Sequence, residues 1–368
     1  MQRINNRCIK ILILLGFILS LAAGIIFYNN VLAELRVHFI DVGQGDSILI
    51  QYTEKNMLID GGDRWNWVGE KVVSYLNQQD VDFIDVLVST HPHADHIGGL
   101  DDVLNNFEVA QVYGSGRVHT TRTYENYLRL IDEQEIPFAA PRRGDIINLG
   151  DLNFKVLHPS PKIDVNDYSL NNASVVLHLV YGDVSFLFTG DAEYRAEKEI
   201  VENIDHKIDS TVLKVSHHGS ATSTNDFFLK EVKPQTAVIM AGEDNRYGHP
   251  DEEVLRALKN RGVDVYRTDL HGDIVIKTDG RDHEVMVSRE ADSRAPPKEP
   301  AEQETKKINI NKASAETLQK LQGIGPAYAE NIIEYRKEQE GFDTIEEIKE
   351  VSGIGPATFE NIKDDITI

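Results

Sequence analysis

The chain has 368 residues, with 38 Lys and Arg against 60 Asp and Glu, which gives a net charge of −22. This length predicts two or three domains, at roughly 100–200 residues per domain. The acidic balance excludes a basic protein that coats nucleic acid, because Lys and Arg supply most of the non-specific affinity for phosphate. The only cysteine is Cys8, so disulfides, thiolate zinc sites and cysteine nucleophiles are excluded from the rest of the chain.

The N-terminal residues 1–33 have the pattern of a targeting segment. Three basic residues and no acid lie within residues 1–10, and the 18 residues of 11–28 carry no charge. A signal peptide and a single membrane anchor both fit this pattern, and the two alternatives stay open. In either case the basic flank stays in the cytoplasm. We therefore expect an extracellular protein, or one anchored at the outer face of the cytoplasmic membrane.

Short β-branched segments alternate with amphipathic segments over residues 34–288. The predicted strands include LRVHFIDV, SILIQY, FIDVLVST, NFKVLHP, SVVLHLV, VSFLFTG, STVLKVS, TAVIMAG and VDVYRT. The predicted helices include Glu70–Gln78, Tyr124–Glu133, Ala192–Glu202 and Asp251–Lys259. Because strands precede, separate and follow the helices, this pattern predicts a mixed α/β domain.

A loop rich in histidine follows the predicted strand FIDVLVST. The segment THPHADHIGGL (90–100) contains His91, His93, Asp95 and His96. With this spacing, two imidazoles can bind one metal ion while the next Asp-His pair turns to a second ion. Imidazole and carboxylate without thiolate favour zinc, manganese or iron.

Further acids and histidines stand at the ends of other predicted strands. Asp60 ends NMLID, Asp191 ends VSFLFTGD, His217 and His218 follow STVLKVS, and His249 lies in NRYGHPDE. Each of these residues alone is also typical of a turn or a helix cap. Mixed sheets collect the residues of their sites at one edge, so we expect these side chains to meet the histidine loop.

Residues 289–307 have no hydrophobic periodicity and contain three of the 12 prolines, which predicts a flexible linker. A repeat follows within residues 308–368. LQGIGPAYAENI (321–332) and VSGIGPATFENI (351–362) match at a spacing of 30 residues. The glycines allow the backbone to approach a partner closely, and proline suits the first turn of a helix. The exposed N–H groups at such a helix start can bind a phosphate.

Residues 35–288 resemble the metallo-β-lactamase superfamily, and within it the ComEC-like branch of competence proteins. The resemblance is carried by HFIDVGQGDSILI, LIDGG, THPHADHIGGL, SFLFTGD, LKVSHHGS, and YGHP followed by YRTDLHG. It implies an α/β fold, an αββα sandwich, with two divalent metal ions, zinc or manganese. Members of this superfamily hydrolyse lactams, thioesters or phosphodiesters, so the fold alone leaves the substrate open.

The resemblance implies ligands for both ions: His91 and His93 for the first, Asp95, His96 and His217 for the second, and Asp191 between them. Asp60 is expected to orient the histidine loop from behind these ligands. The superfamily usually supplies one more histidine before the strand that leads to Asp191. Here that stretch reads SLNNAS, and Asn172 is our candidate for the position, so the first ion would be held weakly.

The implied chemistry is attack by a metal-bound hydroxide, with Asp95 counted among the catalytic residues. We assign His249 or His218 to the scissile phosphate or the leaving oxygen. Ser220 and Ser223 are assigned to phosphate contact.

Residues 308–368 resemble the tandem helix-hairpin-helix domain of ComEA-like proteins, a small all-α DNA-binding domain. The expected DNA-contact residues are Gly323, Ile324, Gly325, Gly353, Ile354, Gly355, Lys320 and Lys363. Because this region holds six Lys and Arg against 12 Asp and Glu, binding to duplex DNA should be weak, sensitive to salt and independent of sequence. A protein-interaction module is the alternative.

The leading hypothesis is therefore an exported metal-dependent phosphodiesterase, a nuclease acting on DNA in uptake or in extracellular degradation. Two alternatives stay open: a surface protein that captures DNA without catalysis, and a hydrolase of cell-wall phosphodiesters.

Overall fold

The computed structural model describes residues 32–203, 207–245 and 247–290 of the N-terminal part. In the C-terminal part it describes residues 307–313, 315–318, 321, 324–339, 341–342, 344–355, 358–359, 362–363 and 365–368. Most of the predicted targeting segment and of the predicted linker lies outside these residues. None of the helices in the described ranges is long and apolar enough to span a membrane.

The described residues up to 290 form one compact unit, and those from 307 form a second. The strands of the first unit are β1 (Leu35–Phe39), β2 (Ile48–Tyr52), β3 (Lys55–Ile59), β4 (Phe83–Ile84), β5 (Val86–Ser89), β6 (Glu108–Val109), β7 (Val112–Gly114), β8 (Phe138–Ala139), β9 (Ile146–Leu149), β10 (Leu152–His158), β11 (Val176–Tyr181), β12 (Val184–Phe188), β13 (Val212–Lys214), β14 (Thr236–Ile239), β15 (Asp264–Arg267), β16 (Ile274–Thr278) and β17 (His283–Val287). Its helices are α1 (Asn66–Gln78), α2 (Ala94–Ile97), α3 (Leu100–Asn106), α4 (Arg122–Glu133), α5 (Tyr194–Asn203), α6 (Asp226–Val232), α7 (Glu252–Lys259) and α8 (Thr268–His271).

Two large sheets organise the first unit. One has eight strands in the order β17-β16-β1-β2-β3-β5-β7-β8, and the other has seven in the order β15-β14-β13-β12-β11-β10-β9. In each sheet an antiparallel part changes to a parallel part, at β3 with β5 and at β12 with β13. The carboxyl ends of these parallel strands therefore lie at the same edge of their sheet.

The sheets pack face to face, and helices cover both outer faces. Alternate residues of β1, including Val37 and Phe39, pack against Leu177 and Phe186 of the other sheet in one shared core. On one outer face α1, α3 and α4 pack on the first sheet, and on the other α5, α6 and α7 pack on the second. This arrangement confirms the predicted αββα sandwich.

Helix α4 illustrates how the sequence sets an element. The Thr121 side chain accepts a hydrogen bond from the Tyr124 N–H and so caps the helix start. Tyr127, Leu130 and Ile131 are its buried residues, at the spacing of one helical face. The four predicted helices correspond to α1, α4, α5 and α7 within a few residues. The shorter α3 and α6 were not among the predictions.

The second unit contains β18 (Ile308–Asn309), α9 (Ala315–Leu318), α10 (Pro326–Glu338) and β19 (Ile366–Thr367), with a 3-10 helix at Ile345–Glu350. Ile324 and Ile354 lie in its core. Besides the predicted helices, β18 and β19 form a two-stranded parallel sheet that joins the ends of the unit. The helical character agrees with a helix-hairpin-helix domain.

A buried histidine makes the stability of the first unit depend on pH. His38 of β1 is 2% exposed, and its Nδ1 lies 3.0 Å from the Tyr75 hydroxyl. Burial, together with the charges of Arg36 and Lys277, lowers the pKa of His38 from 6.5 to about 4. The unfolded chain then binds more protons between these values. The stability contribution is present above pH 6.5 and is lost as the pH falls toward 4.

We therefore expect His38→Gln to remove one acid-sensitive part of the stability. When the pH is lowered from 7 to 4, the free energy of unfolding should decrease in both proteins. The decrease should be smaller in the variant, by up to about 3 kcal/mol. Urea denaturation at a series of pH values measures this difference. Parallel pH curves for the two proteins would contradict the assignment.

Candidate metal centre

The predicted site residues lie at the carboxyl ends of strands. Asp60 follows β3, the histidine loop follows β5, Asp191 follows β12, and His217 and His218 follow β13. Because β3 pairs in parallel with β5, and β12 with β13, each pair of loops leaves the same edge of its sheet. The structure thus brings together loops that are up to 158 residues apart in the sequence.

Four side chains form a group that could hold a metal ion. One ligand atom each from Asp95, His96, Asp191 and His218 lies within 4.8 Å of the others. The Nε2 atom of His96 is 3.2 Å from Asp191 Oδ2. The Nε2 atom of His218 is 3.3 Å from Asp95 Oδ2 and 3.6 Å from Asp191 Oδ2. This group corresponds to the predicted second ion, with one change.

The change concerns the two consecutive histidines, because His218 rather than His217 belongs to the group. His218 is 1% exposed, and its Nδ1 lies 2.9 Å from the carbonyl oxygen of Met240, which turns Nε2 toward the carboxylates. The side chain of His217 is 23% exposed, and its Nε2 is 3.8 Å from Asp191 Oδ2. Both residues have positive φ within the turn Ser216–Gly219. Since the turn decides which imidazole faces inward, the sequence pair alone does not distinguish them.

His91 and His93 lie beside this group, where the first ion was expected. The Nε2 atom of His91 is 2.9 Å from Nδ1 of His93 and 3.8 Å from Asp191 Oδ2. One oxygen of Asp191 is therefore shared by the imidazoles of both predicted ion positions. This is the arrangement that a bridging carboxylate requires.

Asp60 supports the histidine loop from the side away from the predicted ions. Its carboxylate accepts hydrogen bonds from the Thr90 N–H and the Thr90 hydroxyl, each at 2.7 Å. Its Oδ2 also lies 2.8 Å from His96 Nδ1. These contacts fix the ring of His96 with Nε2 toward Asp191, in line with the orienting role predicted for Asp60.

Asn172 does not replace the additional histidine. Its Oδ1 accepts a hydrogen bond from the Ala196 N–H at 3.0 Å, and its Nδ2 donates to Glu193 Oε2 at 3.0 Å. Its amide therefore binds the start of α5. The neighbouring Asn171 lies nearer the histidines, with Nδ2 3.3 Å from His217 Nε2. Among the described residues, Oδ1 of Asn171 is buried without a hydrogen-bond partner. These contacts do not support Asn172 in the place of the histidine, and Asn171 is the asparagine of this stretch that contacts a histidine of the site.

Sequence reasoning missed a buried ion pair behind the ligands. Asp46 and Lys214 are both about 1% exposed and form a direct salt bridge. The Lys214 Nζ also donates to the carbonyl of Gly190 at 3.1 Å and lies 4.0 Å from Asp191 Oδ1. A lysine inside the apolar strand STVLKVS was the available signal, because a fully buried lysine is almost always paired.

The electrostatics of the group favour bound cations. Burial would lower the pKa of His218, but the carboxylates of Asp191, Asp46 and Asp95 raise it to about 10. Burial likewise opposes the charged form of His96, yet Asp191 and Asp60 hold its pKa well above the usual range. The site therefore attracts positive charge.

The environment of two buried imidazole nitrogens also favours a bound cation. In the described part of the chain, Nε2 of His96 and Nε2 of His218 are buried and lie 3.2 and 3.3 Å from carboxylate oxygens without forming a hydrogen bond, an arrangement that a shared cation would satisfy. Imidazole nitrogens and carboxylate oxygens are ligands for zinc or manganese. The residues present therefore fit a divalent metal ion.

A cleft of about 300 Å³ opens onto the group. It is lined by Gln44, His93, Ala94, Asp95, Asp191, His217, His218, Tyr247 and His249. His249 lies in the wall, with its ring 5.8 Å from that of His217 and its Nδ1 3.3 Å from Asp251 Oδ2. Burial lowers the pKa of His249, so its imidazole is neutral at pH 7. Because His218 belongs to the metal group, the prediction of a contact with the phosphate or the leaving oxygen now concerns His249, which lines the cleft.

The prediction that Ser220 and Ser223 contact phosphate is not supported. Both are buried and neither lines the cleft. The hydroxyl of Ser223 donates to the Ser216 carbonyl at 2.9 Å. The hydroxyl of Ser220 is 3.1 Å from that of Thr222. These contacts hold the turn that carries His217 and His218.

The predicted DNA-contact residues of the second unit fall into three groups: those outside the described residues, those that pack against other residues of the unit, and those that remain candidates. Gly323 and Lys320 lie outside the described residues. Ile324 and Ile354 are 3% and 2% exposed, so they support the hairpins from inside and cannot touch DNA. Gly353 has φ +91°, and an added Cβ would overlap the ring of Tyr328. Gly325, Gly355 and Lys363 remain as predictions, and an added Cβ at either glycine meets open space.

Two known families match the chain. Residues 40–243 match the metallo-beta-lactamase superfamily, and residues 303–367 match the helix-hairpin-helix motif.

Three relatives match the chain over different lengths. The ComE operon protein 3 of Bacillus subtilis (strain 168) is 33% identical over 292 residues, covering 74% of this chain and 37% of that protein. The competence protein ComA of Neisseria gonorrhoeae is 30% identical over 239 residues, covering 65% of this chain and 32% of that protein. The ComE operon protein 1 of Bacillus subtilis is 54% identical over 61 residues, covering 17% of this chain and 30% of that protein.

The chain thus spans about a third of the length of these relatives. The match over 40–243 covers more than half of its 368 residues, and the observed sandwich agrees with it. The chain belongs to the metallo-β-lactamase superfamily and carries a C-terminal helix-hairpin-helix motif.

Proposed function

We propose that this protein is an exported, metal-dependent phosphodiesterase that cleaves DNA, and that its second unit holds the DNA. The observation that carries the proposal is the group Asp95, His96, Asp191 and His218, whose ligand atoms lie within 4.8 Å of one another and beside a cleft of about 300 Å³. The export part of the proposal depends on the basic and apolar pattern of residues 1–33.

The residues of the cleft have distinct roles in this proposal. Two divalent ions, when bound, would lower the pKa of a water molecule and neutralise the attacking and leaving oxygens of the phosphate. Asp60 and the Met240 carbonyl hold His96 and His218 with Nε2 inward. Neutral His249, in the cleft wall, can share a hydrogen bond with the leaving oxygen.

DNA is the proposed polymer because of the second unit and of the relatives. Helix-hairpin-helix motifs present backbone N–H groups to phosphates, which does not require a basic surface. Two relatives are named as proteins of the ComE operon and a third as a competence protein. These names support a role in DNA uptake.

A non-catalytic DNA-capture protein is the second candidate, and one observation favours it. Since Asn172 binds the start of α5, the first ion keeps only His91, His93 and Asp191 of its predicted ligands. A weakly held first ion would leave a binding protein with little turnover.

Replacement of each adjacent histidine tests the metal group. His218→Ala should weaken binding of zinc or manganese by at least about 100-fold, because loss of an outer-shell partner alone costs about 10–100-fold. His217→Ala, the matched control, should have a much smaller effect. Chelator competition and the metal content of the purified proteins measure both. An equal loss in the two variants would contradict the assignment of His218.

Hydrolysis is tested with the full chain, labelled single- and double-stranded DNA, and bis(4-nitrophenyl) phosphate, in manganese or zinc. The wild type should cleave DNA and the small diester, while EDTA or Asp95→Ala with His96→Ala should abolish both activities. Equal inactivity of wild type and variant with every metal would favour the capture protein. Turnover of the small diester without cleavage of DNA would favour a cell-wall phosphodiester.

An electrophoretic mobility-shift assay with duplex DNA, at low salt and in EDTA, tests DNA binding by the second unit. We expect the full chain to bind at about 1–100 μM. Gly325→Asp should abolish binding, because it places a carboxylate at the start of α10, where the phosphate is expected. Gly325→Ala is the control, since an added Cβ meets nothing within 4 Å. Unchanged binding by Gly325→Asp would exclude the hairpin as the contact.

A further inference from the structure

The chain contains two tryptophans, and both are exposed on one short segment. Trp65 is 58% exposed and Trp67 is 54% exposed. Trp65 precedes α1, and Trp67 lies in its first turn. Tryptophan buries more apolar area than most side chains and is highly buried on average. Two neighbouring exposed rings therefore indicate a surface that binds something planar or apolar.

This segment borders the cleft. The ring of Trp67 packs on Gly43, where an added Cβ would lie 3.2 Å from its Cη2 atom. The next residue, Gln44, lines the cleft. The backbone at Arg64 packs against Gly98, directly after α2, the helix that carries Asp95 and His96. Trp67 thus contacts the neighbour of a residue that lines the cleft, and Trp65 lies two residues before it in the chain.

A third exposed ring lies on the same rim. Tyr247 is 52% exposed and lines the cleft, and its ring stacks on that of His249 at 5.9 Å with an interplanar angle of 13°. The Gln44 side chain accepts a hydrogen bond from the Gly242 N–H at 3.2 Å, in the segment leading to Tyr247. Gly43 and Gln44 therefore connect Trp67 to the cleft that Tyr247 also lines. We call Trp65, Trp67 and Tyr247 the aromatic rim.

The volume of the cleft and the net charge of the chain limit what the aromatic rim would bind. A cleft of about 300 Å³ holds one phosphodiester and little of the flanking polymer, so the neighbouring nucleotides must cross the rim. A chain with a net charge of −22 offers no general electrostatic attraction for them. Stacking on aromatic rings needs no net charge and accepts every base. In a duplex the faces of the bases are already covered by their neighbours, so only unpaired bases can stack there.

We propose that the aromatic rim binds the unpaired bases of a single-stranded nucleic acid and presents its phosphodiester to the cleft. This inference rests on the proposed function, because it names the strand that the same site takes. The tryptophans stack the bases on one side of Gln44, and Tyr247 with His249 stacks the base on the other.

Intrinsic fluorescence tests the proposal directly, since both tryptophans of the chain belong to the aromatic rim. Titration of the full chain with oligothymidylate in EDTA should quench the tryptophan emission, while a duplex of equal length should not. Trp65→Phe and Trp67→Phe leave one reporter each, and both variants should still be quenched. Binding by the second unit does not produce this signal, because no tryptophan lies there.

Alanine variants measure the size of the effect. Trp65→Ala with Trp67→Ala should weaken single-strand binding about tenfold or more, as expected for loss of base stacking. Its affinity for zinc or manganese in chelator competition should be unchanged, because neither tryptophan belongs to the metal group. Phe83→Ala, at a phenylalanine 39% exposed on β4 and outside the cleft lining, is the matched control. It should bind and turn over like the wild type.

The outcomes separate this proposal from the proposed function. Quenching by oligothymidylate that is lost in the alanine variant, in a protein without hydrolytic activity, would support base binding and reject the enzyme. Undiminished single-strand binding by the alanine variant would overturn the aromatic rim. So would an equal loss of single-strand and duplex binding. Emission that responds to phosphatidylglycerol vesicles and not to oligothymidylate would overturn it in favour of a membrane surface.

Discussion

The structure depends on one buried carboxylate oxygen, Oδ2 of Asp191. The Nε2 atoms of His91, His96 and His218 all lie within 3.8 Å of it, and Lys214 approaches the other oxygen of the same carboxylate. A carboxylate that is 1% exposed is stable only where positive charge or hydrogen-bond donors surround it. Burial opposes the charged form of Asp191, yet His96 and His218 hold its pKa well below the usual range. The loops that carry His91, His96 and His218 must therefore place these imidazoles beside the Asp191 carboxylate.

The fold meets that requirement with parallel strands and with glycines at close approaches. Gly190 has a φ of +52° and turns the chain from β12 into Asp191, where an added Cβ would lie 2.9 Å from Thr90. Gly45 packs on the backbone of Asp95 so closely that any side chain would clash. Between these contacts Asp46 can reach Lys214 and donate its N–H to the Asp95 carbonyl at 3.1 Å. The ion pair thus connects the loop after β1 in one sheet to β13 of the other.

Local pattern predicted a mixed α/β domain, and the resemblance to a known family supplied the sandwich and the expected metal ligands. Strand periodicity located the sheet edges, and the spacing of His91, His93, Asp95 and His96 identified the loop. From the sequence, His217 and Asn172 were the expected residues, whereas the structure turns His218 toward the carboxylates and Asn172 toward α5, because the local turn decides which of two adjacent side chains faces the site. The ion pair of Asp46 and Lys214 was not predicted, for a different reason. Their partners are far away in the chain, so only the tertiary structure reveals that their charges compensate each other.

These contacts explain part of the negative net charge of the chain. Part of the negative charge is drawn into the cluster around Asp191, where it raises the pKa of His218 to about 10 and would stabilise divalent cations. The remaining acids make the surface repel a polyanion, and screening reduces this repulsion beyond about 10 Å at 0.1 M salt. A polyanion can then be held only where local groups outweigh it: cations in the cleft, backbone N–H groups at a hairpin, and uncharged rings at the rim. Because each of these contacts is short-ranged, the proposed substrate would be selected at the site itself, with no long-range attraction between duplex DNA and the rest of the acidic surface.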